Sequence, residues 1–155
     1  MYKSYTVEEA KKKLEYYCAY QERCHEEVIK KLKSLNMIPQ AIDVIVTHLI
    51  EHGFLNEERF ACSFARGKFN IKNWGRLRII NELKARHISI YNIDRALKEI
   101  SADEYDAVFN RIAQHHWETI KEPNLLKKKQ KLAGFLIRKG FENHLVFDKI
   151  AALSS

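Results

Sequence analysis

The sequence predicts an all-α protein assembled from one supersecondary unit written about three times, and three observations predict it. Apolar residues recur at helical spacing along nearly all of the 155 residues. Five Gly and two Pro leave little material for hairpins or long flexible linkers. The chain also resembles itself at a fixed offset. Displaced by 51 residues, Val28 falls on Ile79, Ile29 on Ile80, Leu32 on Leu83, Met37 on Ile88 and Ile42 on Ile93. Val46, Leu49 and Phe54 then fall on Leu97, Ile100 and Tyr105, with Asp43 on Asp94 and Lys33 on Lys84. A displacement of 53 sets Ile79, Leu83 and Ile88 on Leu132, Leu136 and Phe141. Such self-similarity is the signature of a repeat architecture.

The elements follow in order. Thr6-Val-Glu-Glu9 is a capping box, opening a first helix that reaches about Tyr20 and turns Ala10, Leu14, Tyr17 and Cys18 inward. A second helix spans Cys24 to about Leu35. Ile38-Pro39 opens a third, with proline in the first turn, where its missing donor is not needed. Ile42, Ile45, Val46 and Leu49 form its buried side, and Gly53 stops it. Asn56 caps a fourth helix, whose early acids Glu57 and Glu58 suit the positive end of the dipole. Phe60, Ala61 and Phe64 continue inward, and Arg66 to Lys72 reads as a basic connector.

Asn73 to Ser89 is the central amphipathic segment. Leu77, Ile79, Ile80 and Leu83 share one side, and Arg78, Glu82 and Arg86 alternate in charge along the other. Ile90 to Ile100 is a sixth helix. Ser101-Ala-Asp-Glu104 caps a seventh, running to about Thr119. Lys121-Glu-Pro-Asn124 is the clearest break. Asn124 caps an eighth helix, with Leu132, Phe135 and Leu136 inward, that ends near Gly140. A last helix covers about Asn143 to Ala152. Grouped by the offset, residues 1–22 are a leading helix, 23–70 a first repeat, 71–120 a second and 121–155 a shortened third.

Charge is the main functional signal. There are 27 Lys and Arg against 20 Asp and Glu, a net charge of +7, which favours polyanions or an acidic protein surface. Arg66 to Arg86 holds seven basic residues and one acid, Glu82, and Lys121 to Lys139 holds seven and one acid, Glu122. The candidate electrostatic contacts are Arg66, Lys68, Arg76, Arg78 and Arg86, then Lys127, Lys131 and Arg138. Arg78 and Lys131 correspond under the offset, as do Arg86 and Lys139, so the units together could carry a broken basic strip. Trp74 reads as packing between units, Arg59 as part of the helix cap, and His115-His116 as an exposed helix tail.

Chemistry is sparse. No glycine-rich phosphate cradle and no G-x-S-x-G elbow occurs. His48, Glu51 and His52 are not in the H-E-x-x-H order of a zinc protease. No enzyme, metal or cofactor is expected. Cys18, Cys24 and Cys62 are an odd number, no secretory leader is recognised, and no run of 18 apolar residues occurs. The expectation is a monomer in the cytoplasm with no membrane partner.

Three segments carry a resemblance: Gly53-Phe-Leu-Asn-Glu-Glu-Arg-Phe-Ala61, Gly75-Arg-Leu-Arg-Ile-Ile-Asn-Glu-Leu83 and Leu132-Ala-Gly-Phe-Leu-Ile-Arg-Lys-Gly-Phe141. In this order and spacing the chain resembles the RecX regulatory proteins over nearly its whole length. The resemblance implies tandem three-helix units in an elongated, curved array. It also implies a non-enzymatic protein that lodges in the groove of the RecA recombinase filament and restrains its activity; the basic strip for its part suits acidic protomer surface and, as a further contact, DNA phosphate. Two positions depart from the family pattern. Cys24 stands where a serine usually caps, and His87 stands where a glycine usually supplies a left-handed turn. The alternatives are a stand-alone basic nucleic-acid-binding module and a helical scaffold for another protein.

Overall fold

The computed structural model describes residues 4–155. Nine helices are present among them: α1 (Val7–Tyr20), α2 (His25–Ser34), α3 (Pro39–Glu51), α4 (Glu57–Lys72), α5 (Arg76–Ala85), α6 (Ile90–Leu97), α7 (Ala102–Thr119), α8 (Leu125–Lys139) and α9 (Asn143–Ser154). No described residue lies in a strand. The chain is therefore all-α, as its periodicity predicts.

Local rules account for the helix starts. The Thr6 hydroxyl accepts the Glu9 amide at 3.1 Å, and Glu9 accepts the Thr6 amide at 3.0 Å. Asn56, Ser89, Ser101 and Asn124 each accept an amide of the first turn. At Cys24 the work shifts to Glu27, whose carboxylate accepts the Cys24 amide at 3.1 Å. The helix therefore starts where a hydroxyl cap was expected.

The middle helix of each unit ends in the same way. Asn36, His87 and Gly140 take left-handed φ of 60°, 60° and 100°. Their amides reach back to Lys33, Lys84 and Ile137, each at 3.0 Å. The next residues, Met37, Ile88 and Phe141, donate to Leu32, Leu83 and Leu136 at 3.1–3.2 Å. This is the two-bond Schellman closure, made three times. His87 thus adopts the turn that a glycine would take most easily. The accepting leucines, and Val28, Ile79 and Leu132 one turn before them, are fully buried. Each unit repeats the backbone and core positions that the sequence offset aligns.

The units begin elsewhere than the offset suggested. The helices pack in threes, α1 with α2 and α3, α4 with α5 and α6, and α7 with α8 and α9. Val7–Tyr20 is accordingly the first helix of the first unit rather than a leader, and the third unit is complete rather than shortened. A displacement symmetry defines a period and leaves its origin open; packing supplies the origin. Two further expectations change. Arg66 to Lys72 stays helical, because Ala65 and Phe69 continue the buried side of α4. Leu77 is 43% exposed, because α5 buries the side centred on Ile79 and Leu83.

Two cores result. Ala10, Leu14, Val28, Leu32, Ile45, Leu49 and their neighbours fill the first unit. The second and third units share one core that includes Phe69, Ile79, Leu83, Tyr105, Leu132, Leu136 and Phe141. Their junction is a backbone contact. The Gly75 amide donates to the Lys139 carbonyl at 2.7 Å, and the Leu77 amide donates to the Gly140 carbonyl at 2.9 Å. A Cβ on Gly75 would sit 2.4 Å from the Gly140 carbonyl, and one on Gly140 would sit 2.4 Å from the Arg78 Cβ. The glycines of two recognised segments are there because they touch across the units.

Candidate functional site

Two cation–aromatic pairs four residues apart build the site: Phe64 with Lys68 on α4, and Trp74 with Arg78 across the α4–α5 turn. Asn73, left-handed at φ 56°, ends α4 and brings Trp74 back over Phe64. Their rings meet edge to face at 6.1 Å. The Lys68 ammonium lies 5.5 Å from the Phe64 ring centre and 5.0 Å from that of Trp74. The Arg78 guanidinium stands 4.1 Å over Trp74, and that of Arg86 stands 4.8 Å over Phe64. Ring faces hold such cations in place while leaving their donors available to a partner.

The third unit extends this surface. Arg78 Nη1 donates to the Arg138 carbonyl at 3.3 Å, and Lys139 Nζ to the Lys72 carbonyl at 2.8 Å. Of the predicted residues, Lys68, Arg78 and Arg86 are therefore gathered around Phe64 and Trp74, whereas Arg138 offers them its carbonyl and lays its guanidinium back along α8 beside Gly134. Lys68, Arg78 and Arg138 make no ion pair among the described residues, whereas Arg86 pairs with Glu82 at 2.9 Å. Lys68 and Arg86 also face a cleft of about 460 Å³ between the first and second units, opposite Glu22 and Glu27.

The other predicted residues are placed differently. Arg66 pairs with Glu99 at 3.5 Å. Arg76 lies 3.7 Å over the Tyr105 ring and bonds Glu142 at 2.9 Å. Tyr105 accepts the Arg76 amide at 2.9 Å and donates to Glu142; burial, then the bond to Glu142, pushes its phenol pKa upward. Arg76 is therefore a clamp between the second and third units. Lys131 pairs with Glu122 at 3.4 Å, and Lys127 is exposed without an ion pair among the described residues. Lys127 precedes Arg138 by about 16 Å along the helix axis. Trp74, expected to pack between units, is half-buried on the core edge against Phe64 of its own unit and carries two cations. Arg59 serves its cap, donating to the Gly53 and Phe54 carbonyls at 2.9 and 3.3 Å and to Glu22.

Sequence reading singled out the cations and missed their support. The signal was the four-residue spacing of Phe64 with Lys68 and Trp74 with Arg78. His116 differs from its expectation: it stacks on Phe135 at 3.8 Å. Burial lowers its pKa, helped by His115 and Arg138. Trp117 lies under Lys128 at 4.1 Å. His48 bonds Glu15 at 2.8 Å, tying α3 to α1. Burial raises the pKa of all three cysteine thiols, that of Cys18 to about 11, so they are protonated at neutral pH. The described residues hold no cluster of three metal-ligating side chains, and no helix among them is long and apolar enough to cross a membrane. The arrangement suits recognition of carboxylates or phosphates by preplaced cations.

Comparison with known proteins gives a consistent result. Residues 56–97 match the model of the second three-helix domain of RecX, and residues 103–150 that of the third. These ranges coincide with α4–α6 and α7–α9. The Regulatory protein RecX of Finegoldia magna is 29% identical over 135 residues, covering 81% of this chain and 62% of that protein. That of Bacillus cytotoxicus is 26% identical, covering 84% and 48%. The chain thus spans between about half and two thirds of these relatives. The crystal structure of RecX from Lactobacillus salivarius has the same fold, with a TM-score of 0.81 over 96% of both chains at 23% identity.

Proposed function

The chain belongs to the RecX family of regulatory proteins, and on that footing we propose that it binds the RecA nucleoprotein filament and inhibits its ATPase and strand exchange. The observation that carries this reading is the match of two consecutive three-helix units to the family, in the phase in which the helices pack. The protein acts without catalysis of its own, as a cytoplasmic monomer serving DNA recombination and repair. A tandem array offers contacts at intervals along its length, so one molecule can touch more than one protomer of a filament. Lys68, Arg78, Arg86 and Arg138 meet acidic protomer surface and DNA phosphate. Cations held on aromatic faces lose less freedom on binding than free side chains would. A bound array hinders the subunit rearrangements of the ATP cycle.

The test is single-stranded-DNA-dependent ATP hydrolysis by the recombinase of the same organism, with this protein titrated in at fixed salt. Inhibition below one copy per recombinase is expected. A Lys68→Glu/Arg78→Glu variant of unchanged helicity should need at least about tenfold more protein, since two charge contacts are lost. No inhibition at equimolar protein would refute the filament reading, and full inhibition by the variant would refute the assigned surface.

A further inference from the structure

The first unit carries a second cation–aromatic surface, outside all eight predicted residues. Lys12, Lys13, Tyr16, Tyr17, Tyr20, Arg23 and Lys31 line a groove of about 530 Å³ between α1 and α2, and no acid lines it. The Arg23 guanidinium stands 3.6 Å over Tyr17, and its Nε donates to the Tyr17 carbonyl at 3.0 Å. The Lys31 ammonium approaches the same ring at 5.7 Å. Lys13 reaches over Tyr5 at 5.2 Å. Arg23 Nη1 also stands 3.8 Å from the Glu27 carboxylate.

Similar clusters sit where first and second helices meet in the later units: Phe64, Lys68 and Trp74, and then His116, Trp117 and Lys128. There the rings are half-buried and covered by cations or stacked on other rings. In the first unit Tyr16 and Tyr20 are 74% and 73% exposed. Two large exposed rings side by side with three lysines that lack ion pairs among the described residues form one continuous aromatic and cationic patch, the kind of surface that marks an interaction site.

We propose that this groove binds single-stranded nucleic acid, with bases stacking on Tyr16 and Tyr20 and phosphates meeting Lys12, Lys13 and Lys31. Spacing and charge favour this occupant. Four residues on one helix face advance about 6 Å, against about 3.4 Å between stacked bases in a duplex, so the two rings suit the splayed bases of an extended strand. Aromatic platforms flanked by cations are the general device for binding single strands without reading sequence. An acidic peptide would satisfy the lysines and leave the tyrosines unused. This inference does not rest on the filament reading, because the groove lies apart from the Phe64–Trp74 surface and needs no recombinase.

The experiment is fluorescence anisotropy of a labelled oligothymidylate with the full chain and no recombinase present. A duplex of equal length and a poly-glutamate peptide serve as competitors. The single strand should bind more tightly than either. Tyr16→Ala/Tyr20→Ala should weaken it by about tenfold or more, with helicity unchanged, whereas Tyr16→Phe/Tyr20→Phe should retain it. Lys12→Glu/Lys13→Glu should weaken binding and flatten its salt dependence. Duplex or peptide competing as well as the single strand would overturn the proposal. So would an alanine pair that binds like the parent, or no binding of the oligonucleotide at all.

Discussion

The first unit and the six-helix body that follows use the same three-helix design and are held in opposite ways. The second and third units share a core, and two glycines bring their backbones into contact. Arg76, Tyr105 and Glu142 then form a bonded cluster over that junction. The first unit closes its own core around Leu14, Leu32 and Leu49, and lends only Cys24, among the described residues, to the core of the other two. Its polar link to the second is the Arg59–Glu22 pair, beside a turn whose carbonyls Arg59 also caps. Backbone contact at glycine admits one geometry, whereas an exposed ion pair contributes little and tolerates several. The comparison teaches that repeated units need not be equally coupled, and that coupling is decided by a few residues at each junction.

The largest effect should follow from breaking the tight junction. Gly140→Ala puts a Cβ against Arg78 at a φ of 100°, and the strain and overlap should cost about 3 kcal/mol or more. Thermal unfolding followed by circular dichroism should fall by roughly 6–12 °C. Gly67→Ala is the control, since its Cβ meets nothing within 4 Å on a helix and should be neutral or slightly stabilising. Equal behaviour of the two variants would show that the glycine contact does not hold the body together.

A smaller effect is expected at the loose junction. Arg59→Ala removes the pair with Glu22 and two bonds to turn carbonyls. Because Arg59 is about half exposed, the cost should be only about 0.5–1 kcal/mol. Amide hydrogen exchange should speed up in α1–α3 and stay unchanged in α4–α9. A uniform increase would mean that the two regions unfold as one.

The smallest effect is a pH dependence confined to the third unit. Burial holds the His116 pKa below its usual 6.5, so the unfolded chain binds this proton more readily. The stabilisation is complete above about pH 6.5 and is lost as pH falls through the lower folded value. His116→Phe, which keeps the stack on Phe135, should lose less stability than the parent between pH 7 and pH 5. Identical slopes by urea titration would remove His116 from the account.

Much of this was legible in the chain itself, through rules that act within a few residues. Thr6, Asn56, Ser101 and Asn124 announced the helix starts they make. Apolar periodicity gave the buried sides, and the offset aligned Val28 with Ile79 and Leu132 before any packing was known. The need for a left-handed residue at His87 was equally local. The basic segments were visible as composition, but their division was not. Arg76 and Arg78 are two residues apart in one segment, yet one is a clamp on Tyr105 and Glu142 and the other lies open over Trp74. That distinction depends on which side of α5 meets the third unit, a matter of contacts 60 or more residues apart in sequence.

The sequence by itself determined the helices, their caps, the period of the repeat and the abundance of positive charge, because each follows from neighbours within about two helical turns. Only the tertiary structure decided where a unit begins, which cations remain available and which junction is rigid. A repeat looks the same from any starting helix, and a charge is spent or free according to what the fold places opposite it.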